Sequence, residues 1–275
     1  MVDFHMHTIF SDGTDDIETI LEKTKDLDYF AITDHDSIMG IKYMLNNNIM
    51  PNNFIPGIEI TTRDLDDSVH ILFYNYDVNS IKLNELIKRI DTIRHNRLIE
   101  RIKILKSDFG IKLKKEDLNY LLSLDNPTKP HIGRILIKYG YAKTIDDAIK
   151  TYMFHKLKTK KVSSEEVITL LKDEKGTLVF AHPFGGIGEK RIEKNVLNER
   201  INRFKKYGID GLECCYSLYD KEESDYLIEM ANMFNLLISG GSDYHGKNKN
   251  VKIAELSKDD NNNYTLINLQ DIIKH

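Results

Sequence analysis

Apolar residues follow two rhythms along this chain. In residues 1–80, and again after 161, short apolar runs alternate with stretches whose apolar positions recur every three or four residues. The runs predict strands at 2–7, 29–33, 54–60 and 69–74, then at 177–181, 211–215 and 236–239. The three-to-four spacing predicts a helix at 15–26, with Ile17, Ile20 and Leu21 inward, Thr14 as its cap and Asp15, Asp16 and Glu18 in its first turn. A second helix is predicted at 37–46, and Ser163-Ser164-Glu165-Glu166 reads as a capping box that restarts the pattern. Polar residues 63–68 and the Asn-rich stretches 46–53 and 260–263 read as turns or loops. Strands alternating with helices indicate a parallel sheet or barrel, here with about seven strand units against the eight of a standard barrel.

Between 81 and 160 the pattern is helical throughout. Leu83, Leu86, Ile87, Ile90 and Ile93 form one stripe, and Gly110 is a plausible stop for that long helix. Shorter helices are predicted at 115–123, from Pro130 to Gly140, and after Thr144 and Asp147. Residues 81–160 therefore read as a helical insert, a substrate lid over the mouth of a barrel built from 1–80 and 161–275.

Composition sharpens this picture at one point. With 41% hydrophobic and 30% charged residues the chain reads as soluble and globular. No apolar run approaches the ~18 residues of a membrane span, and no signal-peptide pattern is visible at the N-terminus. The two cysteines, Cys214 and Cys215, are sequence neighbours and read as free thiols in a reducing cytoplasm. The net charge of −4 is unevenly spread: residues 81–160 carry 19 of the 39 Lys and Arg but 9 of the 43 Asp and Glu. An acidic body suits cations, and a basic insert suits an anionic ligand.

The chemistry begins at Asp3-Phe4-His5-Met6-His7. Alternate side chains of a strand share a face, so His5 and His7 point one way and Phe4 and Met6 the other. Two imidazoles on one face can grip a divalent metal, and Asp12 follows in a Ser-Asp-Gly turn. His5, His7, Asp12, His35, Glu59, His70, His182, Asp243 and His245 all fall at or near the C-terminal ends of predicted strands, or in the loop just after. In barrels that face carries the active site. Nitrogen and oxygen donors without thiolate favour Mn, Fe or Zn over soft copper, and a carboxylate such as Glu59 can bridge two ions.

His5-x-His7, Ser11-Asp12-Gly13, Thr33-Asp34-His35, Gly57-Ile58-Glu59, Val69-His70-Ile71-Leu72, Ala181-His182-Pro183 and Ser242-Asp243-Tyr244-His245 together resemble the motif series of the polymerase and histidinol phosphatase (PHP) superfamily. The resemblance implies an α/β fold, a distorted (β/α)7 TIM-like barrel, and a centre of three divalent ions. Manganese is the expected metal, with Fe, Zn and Mg as alternatives. By position, His5, His7, Glu59 and Asp243 would hold one ion, Glu59, His70 and His182 a second, and Asp12, His35 and His245 the third.

Within the insert, Thr128-Lys129-Pro130-His131-Ile132-Gly133-Arg134, followed by Gly140-Tyr141, resembles the insert of nucleoside 3′,5′-bisphosphate phosphatases, a group in which some relatives trim RNA from its 5′ end. His131 and Arg134 lie one turn apart at a helix start, and Arg94, Arg97 and Arg101 share a face of the long helix. The expected reaction is hydrolysis of a phosphate monoester by a hydroxide bridging two metals. His131, Arg134 and Asp34 are the expected catalytic groups, and Arg94, Arg97, Lys129, His131 and Arg134 the substrate contacts. The expected substrate is a small phosphorylated nucleotide or a short oligonucleotide, with no membrane and no stable nucleic-acid complex. Phosphate release from histidinol phosphate is the enzymatic alternative, and a non-catalytic metal-binding module is the alternative of another class.

Overall fold

The computed structural model describes residues 1–124, 126–186 and 189–259, so the stretch 260–263 lies outside the described residues. Seven strands, β1 (Val2–Asp3), β2 (Tyr29–Ile32), β3 (Phe54–Asp64), β4 (Asp67–Tyr74), β5 (Thr177–Phe180), β6 (Gly211–Tyr216) and β7 (Leu237–Gly241), pair in sequence order in one sheet. Just past β1, Phe4 N donates to Gly240 O of β7 at 3.2 Å, and past the ends of both strands Asp243 N donates to His5 O at 2.8 Å. These bonds bring the first strand to the last, and the sheet is a nearly closed barrel. Gly241 permits that approach, because a β-carbon there would overlap His5.

Each strand sorts its side chains by the two-residue period. On β2, Phe30 and Ile32 pack with Met6, Ile17, Ile20 and Ile41, against the helices α1 (Ile17–Thr24) and α2 (Met39–Asn46). Ala31 points the other way, into a group formed with Phe4, Ile55, Leu72, Tyr74, Val179 and Ala181 from neighbouring strands. Burying each large apolar side chain contributes about 1.5–3 kcal/mol.

The strands are not all parallel. β4 pairs antiparallel with both β3 and β5, whereas the other pairs are parallel. The reason is local. β3 and β4 are joined only through Leu65 and Asp66, with Leu65 at φ +54°, and so short a connection can only fold the chain back. Residues 63–68, read as a loop from their polarity, are largely paired: Arg63 faces Ser68 and Asp64 faces Asp67. Their charges are anchored by α8 (Lys194–Tyr207), whose buried Arg200 donates Nε to Asp64 at 2.8 Å and a terminal nitrogen to Asp67 at 2.6 Å. The cap of α1 also differs from expectation. Asp16 accepts from Thr19 N at 2.9 Å, while the Thr14 hydroxyl accepts from Lys247 N at 2.8 Å.

The chain divides into two compact units, Met1–Leu86 with Val162–His275, and Ile87–Lys161. The division falls inside the long helix α3 (Ile81–Phe109), whose first turns, with buried Leu83 and Leu86, go with the barrel. The second unit continues through α4 (Lys115–Ser123), α5 (Lys129–Lys138) and α6 (Ile145–Tyr152). It has its own core of Leu98, Leu105, Leu121, Ile132, Leu136 and Met153, among others. Gly110, at φ +68°, ends α3. Barrel elements resume with α7 (Ser164–Leu171), where Ser163 accepts from Glu166 N at 3.1 Å, and include α9 (Lys221–Met233). No helix among the described residues is long and apolar enough to cross a membrane.

Candidate metal centre

His5 and His7 lie just beyond β1, where the strict alternation of a strand is not kept: Phe4 and Met6 are both fully buried, but in two different apolar clusters. Backbone pairing of Met6 with Tyr244, and of His35 with Glu59, sets the neighbouring donors side by side. Glu59 is the hub. Its Oε2 lies 3.3 Å from His5 Nε2, 3.2 Å from His7 Nε2 and 2.9 Å from His35 Nδ1. Its Oε1 lies 2.9 Å from His70 Nδ1 and 3.0 Å from His182 Nε2. Asp243 Oδ1 lies 3.3 Å from His7 Nε2 and 3.6 Å from His5 Nε2, and Asp12 Oδ1 lies 3.1 Å from His245 Nε2. All nine residues singled out in the sequence thus meet in one place.

His70 arrives there differently from the others. It stands near the start of β4, not at a C-terminal end. Because β4 is reversed, its early residues share an end of the barrel with the late residues of β3, and Thr61 faces His70 across the pair.

The contacts are those of a site built for cations. His5 Nε2, His7 Nε2, Asp12 Oδ1 and Glu59 Oε2 are buried without a hydrogen-bond partner, although each lies close to another polar atom. Lone pair facing lone pair is unfavourable in a buried setting unless a cation lies between. Groups that could hold an ion include His7, Asp12, His35 and His245; His5, Glu59 and His182; His5, His7 and Asp243; and His35, Glu59 and His70. Protonation agrees with this use. Burial and then the charges of His245 and His35 hold His7 down to about 4, and burial lowers His70. Burial works against ionisation of Glu59, Asp12 and Asp243, but nearby cationic groups outweigh it and hold all three well below the ordinary carboxylate range. Neutral rings such as His7 and His70, and ionised carboxylates, are the forms that bind metal; at His5 and His182 burial is outweighed by the adjoining carboxylates, which raise both rings and hold protons that a bound cation would displace.

No family model matches the chain. It is similar to the 5′-3′ exoribonuclease Rnm of Escherichia coli, 26% identical over 253 residues that cover 88% of this chain and 84% of the relative. It is also similar to the phosphoribosyl 1,2-cyclic phosphate 1,2-diphosphodiesterase of Eggerthella lenta, 22% identical over 260 residues, 89% of this chain and 94% of the relative. A solved structure from Bifidobacterium adolescentis, described as a metal-dependent phosphoesterase, matches with a TM-score of 0.81 and 28% identity, over 99% of this chain and 95% of that one. The chain is a metal-dependent phosphoesterase, a hydrolase.

Around this centre stand residues to which the sequence assigned no definite task. Fully buried Glu213 accepts His5 Nδ1 at 2.8 Å with one oxygen and His182 N at 2.6 Å with the other. Both His182, at φ +29°, and Asp243, at φ +57°, hold the left-handed backbone that side chains other than Gly rarely adopt. Asp243 Oδ2 accepts from Tyr216 OH at 2.8 Å and Lys249 Nζ at 2.6 Å, which leaves Oδ1 to face the imidazoles. Glu189 reaches His182 Nδ1 at 3.0 Å. No motif flagged Glu213, Tyr216, Lys249 or Glu189, because each is recognised only by its contact with a residue of the motif series.

Asp34, expected among the catalytic groups, serves the loop instead. One oxygen accepts from Thr8 N and Ser11 Oγ, the other from Thr8 Oγ1, each at 2.7 Å. This holds the segment between His7 and Asp12.

Within the second unit, Arg101 is buried and donates to Met153 O at 3.1 Å, and Arg97 donates to Thr159 O. Burial and then the neighbouring Arg97 lower the Arg101 guanidinium to about 10. Lys129 presents much of its length to solvent, yet crowding of its amine, with Arg101 and Arg97 nearby, pulls it down to about 8. Arg94 is half-buried on α3 and Arg134 is exposed on α5. His131, the third residue of α5, accepts Thr128 N–H on Nδ1 at 3.1 Å, which assigns its own ring proton to Nε2.

Proposed function

We propose that this phosphoesterase removes the 3′-phosphate of nucleoside 3′,5′-bisphosphates with the help of divalent ions. The observation that carries the metal part is the clustering of six imidazoles and three carboxylates, five of the imidazoles directly against Glu59, with buried donor atoms that lack hydrogen-bond partners. His5, His7, Glu59 and Asp243 would hold one ion, Glu59, His70 and His182 a second, and Asp12, His35 and His245 a third, manganese being the native metal. Such ions supply Lewis acidity toward phosphoryl oxygens and a water nucleophile at neutral pH.

The protein's own groups do the rest. Glu213 fixes the His5 ring so that Nε2 faces the centre, and Tyr216 with Lys249 holds Asp243 to one inward oxygen. The cations of the second unit suit an anionic ligand. Burial and then the charges of Arg101 and Arg97 lower Lys129, and burial and then Arg97 lower Arg101 against the opposing charge of Glu100, so the three cations lie close together. Arg134 offers a planar fork for a phosphate, and His131 is the group proposed to hand a proton to the leaving sugar oxygen.

A second reading, trimming of short 5′-phosphorylated RNA, is supported by the 5′-3′ exoribonuclease relative. One assay tests both. Inorganic phosphate is measured with adenosine 3′,5′-bisphosphate, and mononucleotide release with a 5′-phosphorylated oligoribonucleotide, each under added manganese. Phosphate from the bisphosphate supports the first reading, and mononucleotides alone support the second. Activity on histidinol phosphate with neither nucleotide substrate used would refute both.

A further inference from the structure

We propose that Glu189, on the segment after β5, is a further metal ligand, bound to the ion that His70 and His182 hold. The inference rests on the metal reading above and adds a residue outside the motif series. Glu189 is built into its place. Its N–H donates to Gly186 O at 3.1 Å, and its Oε2 accepts from Gly186 N at 2.9 Å. Gly186 packs flat on the His182 ring, where a β-carbon would come within 3.1 Å.

The two oxygens of Glu189 have different surroundings. Oε2 accepts from His182 Nδ1 at 3.0 Å, which leaves His182 Nε2 bare and directed at Glu59 Oε1, 3.0 Å away. Oε1 is buried, has no hydrogen-bond partner and lies 3.4 Å from His70 Nδ1. That same His70 nitrogen lies 2.9 Å from Glu59 Oε1. One ring nitrogen carries at most one proton, so it cannot serve both carboxylates as a donor. A cation shared by His70, His182 and Glu189 satisfies all of them, and these three residues offer ligand atoms within 4.8 Å of one another. Glu189 then adds an anionic oxygen to a position otherwise held by two neutral rings and a shared carboxylate, which favours a hard ion such as manganese.

The test reads metal content, not turnover. Wild type, Glu189→Gln and Glu189→Ala are stripped with chelator, checked by circular dichroism for unchanged folding, and dialysed against buffered free manganese before elemental analysis. The Gln amide oxygen still accepts from His182 Nδ1, so that variant keeps the ring oriented and removes only the charge. The expected result is that both variants bind about one ion fewer per chain, or need at least ~10-fold more free manganese to fill that site. Wild-type stoichiometry and affinity in Glu189→Gln overturns the inference, including the case where only Glu189→Ala is impaired, which leaves an orienting role. Wild type that binds no divalent ion at all overturns the metal reading and this inference together. The two failures are therefore distinguishable.

Discussion

Replacing Glu213 with Ala should loosen the centre from behind without touching any of its inward atoms. Glu213 is fully buried at β6 and makes two short contacts, to His5 Nδ1 at 2.8 Å and His182 N at 2.6 Å. Hydrogen bonds to a charged group contribute about 1.5–3 kcal/mol each, and removing one member of a buried charged pair costs about 3–5 kcal/mol. The two figures describe the same contacts, so the ion-free protein should lose about 3–5 kcal/mol in total. For a chain of this length that lowers the melting temperature by roughly 10 °C. The loss has a second part. His5 would be free to rotate and His182 would lose the bond that supports its left-handed backbone, so divalent-ion affinity should fall about 10–100-fold. Glu213→Gln keeps one acceptor and should show a smaller loss of both. Urea denaturation of chelator-treated protein gives the first quantity and manganese titration the second. An Ala variant within about 1 kcal/mol of wild type, with unchanged manganese affinity, would show that the ligand rings are held by something else.

Three further outcomes follow from single sites. His7 is kept neutral, with its pKa held near 4 instead of the ordinary 6.5, so the unfolded chain gains that proton first as pH falls. Its contribution is complete above pH 6.5 and is lost between 6.5 and 4, about 3 kcal/mol in the ion-free protein; urea midpoints at pH 7 and 4.5 should differ less in His7→Asn than in wild type, and equal differences would refute it. Gly241→Ala should destabilise by about 1–3 kcal/mol, because its β-carbon meets the His5 backbone, and a variant with wild-type melting would mean that β7 can move aside. Burial raises Cys214 and pushes Cys215 up to about 12, so a thiol reagent at pH 8 should label neither in the folded protein and both in denaturant; rapid native labelling would contradict that burial.

Much of the barrel is legible from spacing because burial on both sheet faces leaves short, nearly unbroken apolar runs such as Tyr29–Ile32 and Thr177–Phe180. The exception is the turn between β3 and β4. Arg63, Asp64, Asp67 and Ser68 are polar, and polarity in a row reads as loop. They extend the hairpin because Arg200 and Arg203 arrive from α8 to take their charges. That partnership spans well over a hundred residues, and no window along the sequence contains both sides of it. The helix α8 itself is hard to see in the sequence, since its buried stripe of Leu197, Ile201 and Phe204 includes Arg200.

At the centre, the residues read in advance are those whose type alone suggests a ligand. His5 and His7 declare themselves by alternation, and Asp12, His35, Glu59, His182, Asp243 and His245 by motif. His70 is marked by motif too, but topology is what brings it there: had β4 run parallel, its second half would have met the cluster and His70 would have lain lower along the barrel. The reversed strand turns an early residue into a late one, and the hairpin that causes it is thus part of the site. Glu213 and Glu189 were not read as parts of the site for the opposite reason. Their roles are defined by which ring nitrogen they occupy, and only coordinates give that. A carboxylate on Nδ1 fixes which nitrogen of His5 or His182 is bare, and that choice decides whether the ring can bind an ion at all. The ligand positions and the carboxylates behind them are therefore one functional unit, and a chain that kept the nine former residues but lost the latter should retain its fold and bind metal weakly.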